Sequence, residues 1–437
     1  MARFAVLGLL IGILVLAAPL SGDVGDRTAG LTGEWLERPV SLVIRSVPLS
    51  RVLQTVGDLT GRKFVMESEL SYPVSFEMSK MSARRTLRVI GDSQSLLYRQ
   101  EGPTVYVKQA LPPRVVATTC NREHQSTKET PMHIIVQDRT GGPETLRLTE
   151  RSEPTPGEGE LLIRSAAAGV NPVDVAVRSG AFKLLGDPPF TIGWDVAGRV
   201  LAVGPGVSDF AVGDRVFGMP CFPKEAAAYS THVLAPAEEI AKTPDSLSDT
   251  EAGALPLAGL TAWQCLVRVA GVTMGQGVLI HGGAGGVGHL AVQIGKALGA
   301  HVTATASAGK LAVVGALGAD LVLDYAKGVL GDGYDVVLDP QSGAQAELSV
   351  AAVKAGGVVV TLLEPSEAAK KAALAKNVTL VNHFVAPDAA GLRDLAKLSE
   401  EGKLRVHIAR TFPLADAGPA HQYLKETRPV GKVVLLP

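Results

Sequence analysis

Cysteine is scarce and charge is balanced in this chain of 437 residues. Its three cysteines, at positions 120, 221 and 265, include no C-x-x-C pair, so the sequence supports neither a zinc ribbon nor a framework of disulfide bonds. The formal net charge is −1, which argues against nucleic acid as a partner because no basic field covers the chain. Glycine, alanine and valine are abundant instead, and the length is sufficient for two or three α/β domains.

The chain opens on an apolar run over residues 4–20 that follows Arg3. A positive residue, an apolar stretch and a small-residue region near Ser21 predict a signal peptide over residues 1–22. Because the run is close to the length that spans a bilayer, an uncleaved anchor is one alternative, and a buried core helix is another. A signal peptide would direct the following residues to the periplasm.

Residues 39–108 form a separate small unit by their pattern, and the proline-containing, polar residues 109–131 after them predict a linker. Alternating and helical apolar spacings predict the order β-α-β-β-α-β-β. The informative positions are Pro48-Leu49, Val52-Leu53, Leu59-Thr60-Gly61, Phe64-Val65, Val74-Ser75-Phe76, Leu87 and Leu96-Leu97-Tyr98. On these positions the unit resembles the secretin and TonB short N-terminal domain, a periplasmic interaction module. The resemblance implies an envelope protein as a partner.

A dinucleotide-binding unit is predicted over residues 278–300. Gly283, Gly285 and Gly288 stand in G-x-G-x-x-G spacing between a short apolar strand and a helical pattern. Such glycines allow a tight turn, a close approach of backbone N–H groups to a pyrophosphate, and helix–strand packing. Gly286 and Val287 complete the candidate phosphate-binding loop at the helix N-terminus.

The strand at 301–305 indicates which nucleotide binds. An NAD site places Asp or Glu near the end of this strand, but no acidic residue occurs between Gly288 and Asp320. Ser307 and Lys310 stand there instead, and a hydroxyl with an ammonium would attract a 2′-phosphate. The sequence therefore predicts NADP(H), with a merely solvated Lys310 as the alternative.

Three further segments follow the linker. Short apolar runs between turns over residues 132–254 predict a barrel-like β domain that holds the substrate. Alternating strands and helices over 255–384 predict a doubly wound parallel sheet. Residues 385–437 return to the β domain. The predicted fold class is α/β, preceded by the small α+β module.

Residues 132–437 carry a specific set of motifs: AAGVNPVDVAVRSGAF at 167–182, IGWDVAGRV at 192–200, VGDRVFG at 212–218, GLTAW at 259–263 and HGGAGGVGHLAVQIGKALGA at 281–300, with a matching C-terminal segment that ends in GKVVLLP. By these motifs the segment resembles the zinc-independent medium-chain dehydrogenases/reductases of the quinone oxidoreductase group. The resemblance implies a GroES-like catalytic domain, a Rossmann domain, an active site between them, and a homodimer.

The same resemblance implies that no metal is bound. Zinc alcohol dehydrogenases have a Cys ligand where this chain has Asn171, and a His-Glu pair where it has Trp194-Asp195. Asn171 and Asp174 would line the active cleft, where Asn171 donates to an acceptor oxygen or orders a water and Asp174 orients its neighbours. The alternative for this pair is an ordinary Asx turn.

Two more site residues rest on the resemblance. Thr261 matches a position beside the nicotinamide, with a backbone-bonded helix hydroxyl as the alternative. Tyr325 matches a position near the 2′-phosphate, with a half-buried strand-end tyrosine as the alternative. Phe182 stands where enoyl-thioester reductases of the wider family have a tyrosine, which disfavours that activity. Trp194 would shape a pocket that tolerates aromatic groups or else pack in the core.

The predicted function is therefore an NADPH-dependent, zinc-independent reductase of quinones or α,β-unsaturated carbonyl compounds. A reductase of this kind needs cytoplasmic NADPH, whereas the N-terminal residues predict export. The competing hypothesis is an exported envelope protein in which residues 39–108 mediate interactions and the reductase unit is inactive or an unrelated fusion.

Overall fold

The computed structural model describes residue 31 and residues 39–66, 73–83, 87, 96–101, 103–109, 131–328, 330–341 and 345–437. The predicted signal peptide or anchor over 1–22, and nearly all of the predicted linker over 109–131, lie outside these residues. Among the helices described, none combines the length and the apolar character needed to cross a bilayer.

The N-terminal part follows the predicted order as far as it is described. Helix α1 buries Val52, Leu53 and Val56 completely, which is the face that helical spacing predicts. Strand β2 pairs in parallel with β5, and β4 pairs antiparallel with β5. The predicted second helix lies largely outside the described residues. The elements are β1 (Pro39–Pro48), α1 (Leu49–Thr60), β2 (Lys63–Met66), β3 (Pro73–Ser82), β4 (Leu96–Glu101) and β5 (Thr104–Gln109).

A GroES-like β domain follows, built on a seven-stranded sheet in the order β12-β10-β9-β8-β20-β19, with β11 beside β8. The C-terminal strands return to this sheet because β20 pairs antiparallel with β8. Its strands and helices are β6 (Pro131–Gln137), β7 (Leu146–Ser152), β8 (Glu160–Val170), α2 (Pro172–Ser179), β9 (Val196–Val203), β10 (Arg215–Gly218), β11 (His232–Pro236), β12 (Ile240–Lys242) and α3 (Asp249–Ala254), with β19 (Ile408–Pro413), α10 (Ala417–Thr427) and β20 (Lys432–Leu436).

The Rossmann domain is a parallel sheet in the order β18-β17-β16-β13-β14-β15. This order reverses direction between β13 and β16, which creates a crevice at the carboxyl ends of those strands. The fold class predicted from the sequence is confirmed. The elements are α4 (Pro256–Trp263), β13 (Gly277–Ile280), α5 (Gly288–Ala297), β14 (His301–Ala306), α6 (Leu311–Ala316), β15 (Leu321–Asp324), β16 (Tyr334–Asp339), α7 (Gln345–Ala352), β17 (Val353–Thr361), α8 (Glu367–Lys376), β18 (Thr379–Asn382) and α9 (Ala389–Glu400).

The N-terminal unit differs from expectation in one respect, since part of it joins the Rossmann sheet. Strands β1 and β3 form an antiparallel pair, and β3 also pairs antiparallel with β18, where Glu77 lies opposite Leu380. The outer edge of β18 would otherwise present unpaired backbone N–H and C=O groups. The expected separate unit therefore shares a sheet with the reductase.

Cys265 and Cys221 differ in their bonding. Cys265 is a buried free thiol, as expected. Cys221 forms a disulfide bond, which the absence of a C-x-x-C pair did not predict.

Candidate active site

The glycine loop between β13 and α5 closes on itself tightly. A Cβ atom on Gly288 would collide with the backbone carbonyl oxygen of Gly282, so the helix can begin this close to the turn only without a side chain. A Cβ on Gly283 would lie 2.8 Å from the Cβ of Ala304 in β14. Around Gly285 the nearest atom is the Gly282 carbonyl oxygen at 3.3 Å. Two glycines thus serve packing, and the more open Gly285 suits a ligand.

The N-terminus of α5 has no capping side chain and could accept an anion. Its first residues have no side-chain cap, because Val287 occupies the N-cap position. A helix start without a capping side chain presents N–H donors and partial positive charge to a phosphate. Gly282, not Gly283, has the positive φ of the turn, at 64°.

The predicted 2′-phosphate residues lie at the end of β14 and β15. Ala306 pairs with Asp324, so Ser307 and Tyr325, which follow them, lie at the same edge of the sheet. Tyr325 is 54% exposed directly after β15, so the half-buried strand-end tyrosine stays open as the alternative. The ammonium of Lys310 donates to the backbone carbonyl of Arg428, so it is engaged by the C-terminal end of α10 rather than only solvated.

Asn171 lies at the start of α2 and is held between two opposite charges. Its side-chain oxygen accepts a hydrogen bond from the ammonium of Lys432, and its amide N–H donates to Asp195 Oδ2 at 2.8 Å. A cation on one side and an anion on the other allow only one amide orientation. Lys432 also donates to the Val170 carbonyl at 3.3 Å and lies 3.4 Å from Asp195 Oδ2. Asn171 occupies the N-cap position of α2, where it forms a capping box with Asp174. The Asx turn offered as the alternative therefore stays open.

Asp174 anchors the same turn from the other side. Its Oδ2 accepts the backbone N–H of Asn171 at 2.7 Å and the hydroxyl of Tyr229 at 2.9 Å. His421 Nε2 lies 3.0 Å from that hydroxyl. While Asp174 is ionised, the Tyr229 hydroxyl donates to Asp174 and His421 Nε2 can donate to the Tyr229 oxygen.

Burial dominates the electrostatics of this cluster. It raises the pKa of Asp174 from 3.8 to about 7 and also raises the pKa of Asp195, although the Lys432 charge opposes the second shift. Burial lowers the pKa of His421 to about 3, so the imidazole is neutral at pH 7. Burial, and then the neighbouring Asp174, raise the pKa of Tyr229 well above 10. The cluster holds one ammonium against two carboxyl groups, and Asp174 is the group that titrates near neutral pH.

Several buried polar atoms around Asp174 have no hydrogen-bond partner among the described residues. They are Asp174 Oδ1, His421 Nδ1, and Nε and Nη1 of Arg178, which lies one turn beyond Asp174 on α2. Buried polar atoms are normally paired with protein or with ordered water. The interior around Asp174 is therefore polar as well as buried.

Lys432 also lies between the Asn171 turn, which is residues 171–174, and the glycine loop. A Cβ on Gly286 would lie 3.3 Å from the Cδ of Lys432, and the backbone N–H of Gly431 donates to the Ala284 carbonyl at 2.9 Å. The side chain of Lys432 is 2% exposed, so its stem is packed between the two elements. Lys432 and the preceding Gly431 thus link the Asn171 turn to the glycine loop.

Thr261 lies inside α4 and is bonded as its alternative predicts. Its hydroxyl donates to the Leu257 carbonyl at 2.7 Å, one helical turn earlier. The backbone N–H of Leu257 in turn donates to Asp195 Oδ1 at 2.6 Å. Thr261 is therefore linked to the Asn171 turn through Asp195, and a role beside a nicotinamide stays a prediction.

Sequence reasoning did not single out four members of the cluster: Asp195, Tyr229, His421 and Lys432. Two of them carried a usable signal, because Asp195 and Lys432 are charged residues inside otherwise apolar runs. Charges in such places are almost never fully buried unless they are paired. Tyr229 and His421 are 192 positions apart, and no local pattern indicates that they meet.

The metal position of zinc alcohol dehydrogenases is filled differently here. The amide oxygen of Asn171 faces the Lys432 ammonium, which would repel a second cation. The indole N–H of Trp194 donates to the Lys224 carbonyl at 2.6 Å, and an indole offers no lone pair to a metal. Among the residues that the structure describes, no group of three His, Cys, Asp or Glu side chains could hold an ion.

Family models match two parts of the chain. Residues 157–245 match the alcohol dehydrogenase GroES-like domain, and residues 317–435 match the zinc-binding dehydrogenase family. The chain is 34% identical over 387 residues to a 2-methylene-furan-3-one reductase from Solanum lycopersicum, covering 84% of this chain and 95% of that protein. This chain belongs to the medium-chain dehydrogenase/reductase family. The family resemblance inferred from the motifs of residues 132–437 is thereby confirmed at this level.

Solved structures of the same family agree with the fold. The quinone oxidoreductase from Coxiella burnetii is 33% identical, with a TM-score of 0.66 over 70% of this chain and 100% of its own. A mycobacterial protein solved as a complex with NADPH is 34% identical, with a TM-score of 0.62 and the same two coverages. The prediction of an oxidoreductase is confirmed. The resemblance of residues 39–108 to the secretin and TonB module stays a prediction.

Proposed function

We propose that this family member is an NADPH-dependent reductase of quinones or α,β-unsaturated carbonyl compounds that works without zinc. The observation that carries the proposal is the arrangement of Asn171 between the Lys432 ammonium and the Asp195 carboxylate. A fixed ammonium and a fixed amide replace a metal ligand at the place where this family performs its chemistry.

The residues around the glycine loop fit NADP(H). The uncapped start of α5 suits the pyrophosphate, and Gly285 leaves room for it. Ser307 and Tyr325 share one sheet edge, Lys310 follows three residues after Ser307, and no acidic residue between Gly288 and Asp320 would repel a 2′-phosphate. The mycobacterial relative solved with NADPH supports the same choice.

Hydride reduction of an acceptor that is already polarised does not require a metal ion. When bound, NADPH would supply a hydride to the electrophilic carbon, and the displaced electron pair would move to the carbonyl oxygen. That oxygen needs hydrogen-bond donors and positive potential as its charge grows. Asn171 has an amide N–H whose bond to the Gly169 carbonyl is long, at 3.5 Å, and Lys432 supplies the potential behind it.

A proton completes the reaction after the hydride. The Asp174 carboxyl, with a pKa of about 7, is protonated in a substantial fraction of molecules at neutral pH and lies next to the Asn171 backbone. Its role is to hold the turn and to limit the charge buried there. Proton delivery to the product carbon or oxygen then comes from water in the cleft.

Relatives support the choice of acceptor. The Solanum protein is named for a ring ketone conjugated to a methylene group, and the Coxiella protein is named a quinone oxidoreductase. Both acceptor types take hydride at carbon and place charge on oxygen, which is the demand that the Asn171 site meets. The partners of the chain are accordingly the cofactor and a small conjugated carbonyl compound, and a homodimer is a further proposal.

The experiment follows cofactor absorbance. The full chain is titrated with NADPH and NADH by fluorescence, and then 1,4-benzoquinone and 3-buten-2-one are added separately. We expect NADPH to bind at least tenfold more tightly than NADH, and both acceptors to be reduced at rates that a zinc chelator does not change. Failure to bind either nucleotide, or loss of activity on chelation with recovery on zinc addition, would refute the proposal.

A further inference from the structure

Four aromatic rings form a continuous row that begins at Trp194, the residue before Asp195 in the chain. Trp194 packs edge-to-face on Phe222 with ring centroids 5.2 Å apart, and Phe222 lies 5.1 Å from Phe384. Phe384 in turn contacts Phe182 at 6.3 Å with the rings at 78°. We call these four residues the aromatic ladder. Its inner end adjoins Asp195, which follows Trp194 in the chain and bonds the Asn171 amide.

The two ends of the ladder differ in exposure. Trp194 is completely buried and Phe222 is 6% exposed, whereas Phe182 is 41% and Phe384 is 44% exposed. Because the two exposed phenylalanine rings contact each other, they form an apolar patch, and such patches often mark a binding surface. The outer two rings also come from different domains, since Phe182 follows α2 and Phe384 follows β18. The exposed rings therefore lie where the two domains meet.

Phe384 is held firmly despite its exposure. His383 before it donates its backbone N–H to the Thr361 carbonyl at 2.7 Å. Gln264 Oε1 pairs with His383 Nε2 at 3.1 Å and accepts the backbone N–H of Ala386 at 3.1 Å, while Gln264 Nε2 donates to the Ala386 carbonyl. Burial lowers the pKa of His383 to about 4, so this clamp keeps its protonation state at neutral pH.

Phe182 is fixed from the opposite domain. Its backbone N–H donates to the Ala176 carbonyl at 3.2 Å, and Gly180, with a φ of 80°, ends α2 two residues before it. Each exposed ring is thus anchored by its own domain, so it loses little conformational entropy when a ligand covers it.

We infer that Phe384 and Phe182 are specificity-determining residues that bind the aromatic or other flat apolar part of the acceptor, with its conjugated carbonyl directed toward the Asn171 site. The inference rests on the proposed function and names the substrate class within it: aryl-substituted enones and fused-ring quinones in preference to short aliphatic enals and enones. Stacked and edge-to-face ring contacts add stabilisation beyond the apolar area that they bury.

The test compares two acceptors that share the reacting group. Phenyl vinyl ketone and 3-buten-2-one are each reduced by the full chain and by the variants Phe384→Ala, Phe384→Leu and Phe182→Ala. The ratio of kcat/KM for the two acceptors is taken within each protein, so that their intrinsic reactivities cancel between proteins. The dissociation constant for NADPH is measured for every variant as the control for folding.

For Phe384→Ala we expect kcat/KM for phenyl vinyl ketone to fall about tenfold, mainly through KM, and kcat/KM for 3-buten-2-one to stay within about twofold. Phe384→Leu restores apolar area without an aromatic ring and should recover only part of the loss. Equal losses for both acceptors, or no loss with the phenyl compound, would overturn the inference.

A binding measurement separates this inference from the proposed function. Propiophenone and butanone are the saturated counterparts of the two acceptors, and their binding to the NADP⁺-loaded chain is measured by calorimetry. Propiophenone binding that weakens in Phe384→Ala, without turnover of either enone, would support the ladder and refute the reductase. Equal binding of propiophenone to both proteins would refute the ladder, whatever the activity.

Discussion

A buried ammonium set against two buried carboxyl groups is the unusual feature at the scale of single residues. Lys432, Asp174 and Asp195 are each at most 2% exposed. Asp174, when ionised, would carry a buried negative charge with no ion-pair partner within 4 Å among the described residues, which is costly. The raised pKa of Asp174, about 7, is the response expected of such a cluster.

The first prediction concerns pH. The folded pKa of Asp174 lies above its unfolded value of 3.8, so the folded chain binds the proton more tightly, and this contribution to stability is complete below about pH 4 and is lost as the pH rises to about 7. Asp174→Asn removes the titration and keeps an oxygen acceptor for Tyr229. The difference in unfolding free energy between wild type and variant should fall by up to roughly 4 kcal/mol from pH 4 to pH 7 and then level off. Urea unfolding at a series of pH values measures it, and parallel pH profiles would contradict it.

The second prediction compares two lysines. Lys432→Met leaves Asp195 buried without its cation, which should cost about 3–5 kcal/mol of unfolding free energy and also lower kcat/KM, because the Asn171 amide loses the bond that fixes its oxygen. The control is Lys403→Met, which removes the exposed pair with Glu401 and should change neither quantity measurably. Similar unfolding curves for the two variants would show that the buried pair has no special role.

At the scale of elements, the glycine loop gives the third prediction. Gly288→Ala places a Cβ against the Gly282 carbonyl oxygen, so the loop must open and the dissociation constant for NADPH should rise at least about tenfold. Gly315→Ala is the matched control. Gly315 lies inside α6, and an added Cβ would be 3.9 Å from Val322, which is an ordinary van der Waals contact. That variant should bind NADPH normally and gain roughly 0.5–1 kcal/mol in stability. Nucleotide titration of both proteins decides, and unchanged binding by Gly288→Ala would refute the packing argument.

The periodicity of apolar residues predicted where strands and helices lie, but not which distant residues contact each other. The strand over 278–280, the glycine spacing and the helix after it were all predictable, because each depends on neighbours in the chain. Lys432 and Asn171 are 261 positions apart, and only the antiparallel pairing of β20 with β8 brings them together. The aromatic ladder escaped prediction for the same reason, since Phe182 and Phe384 belong to different domains.

At the scale of the whole molecule, the edge of the Rossmann sheet is the feature that joins its two parts. Strand β3 of the N-terminal unit pairs with β18, which would otherwise end the parallel sheet with unpaired backbone groups. The Coxiella quinone oxidoreductase matches 70% of this chain over its full length, so a reductase unit of this family folds without such an extension. The N-terminal residues therefore cover an edge that the reductase unit alone would expose.

The last prediction follows from this edge. A chain shortened to residues 131–437 should self-associate through the exposed edge of β18. In the full chain β3 covers this edge, so at the same concentration we expect no association through β18. Sedimentation velocity over a range of concentrations measures both. Glu77→Pro in the full chain removes one backbone donor from β3 opposite Leu380 and should shift its behaviour toward that of the short chain. Identical association states for all three proteins would mean that the edge does not govern assembly. Association of the short chain alone would give the N-terminal unit a role in controlling assembly, independent of the chemistry at the Asn171 site.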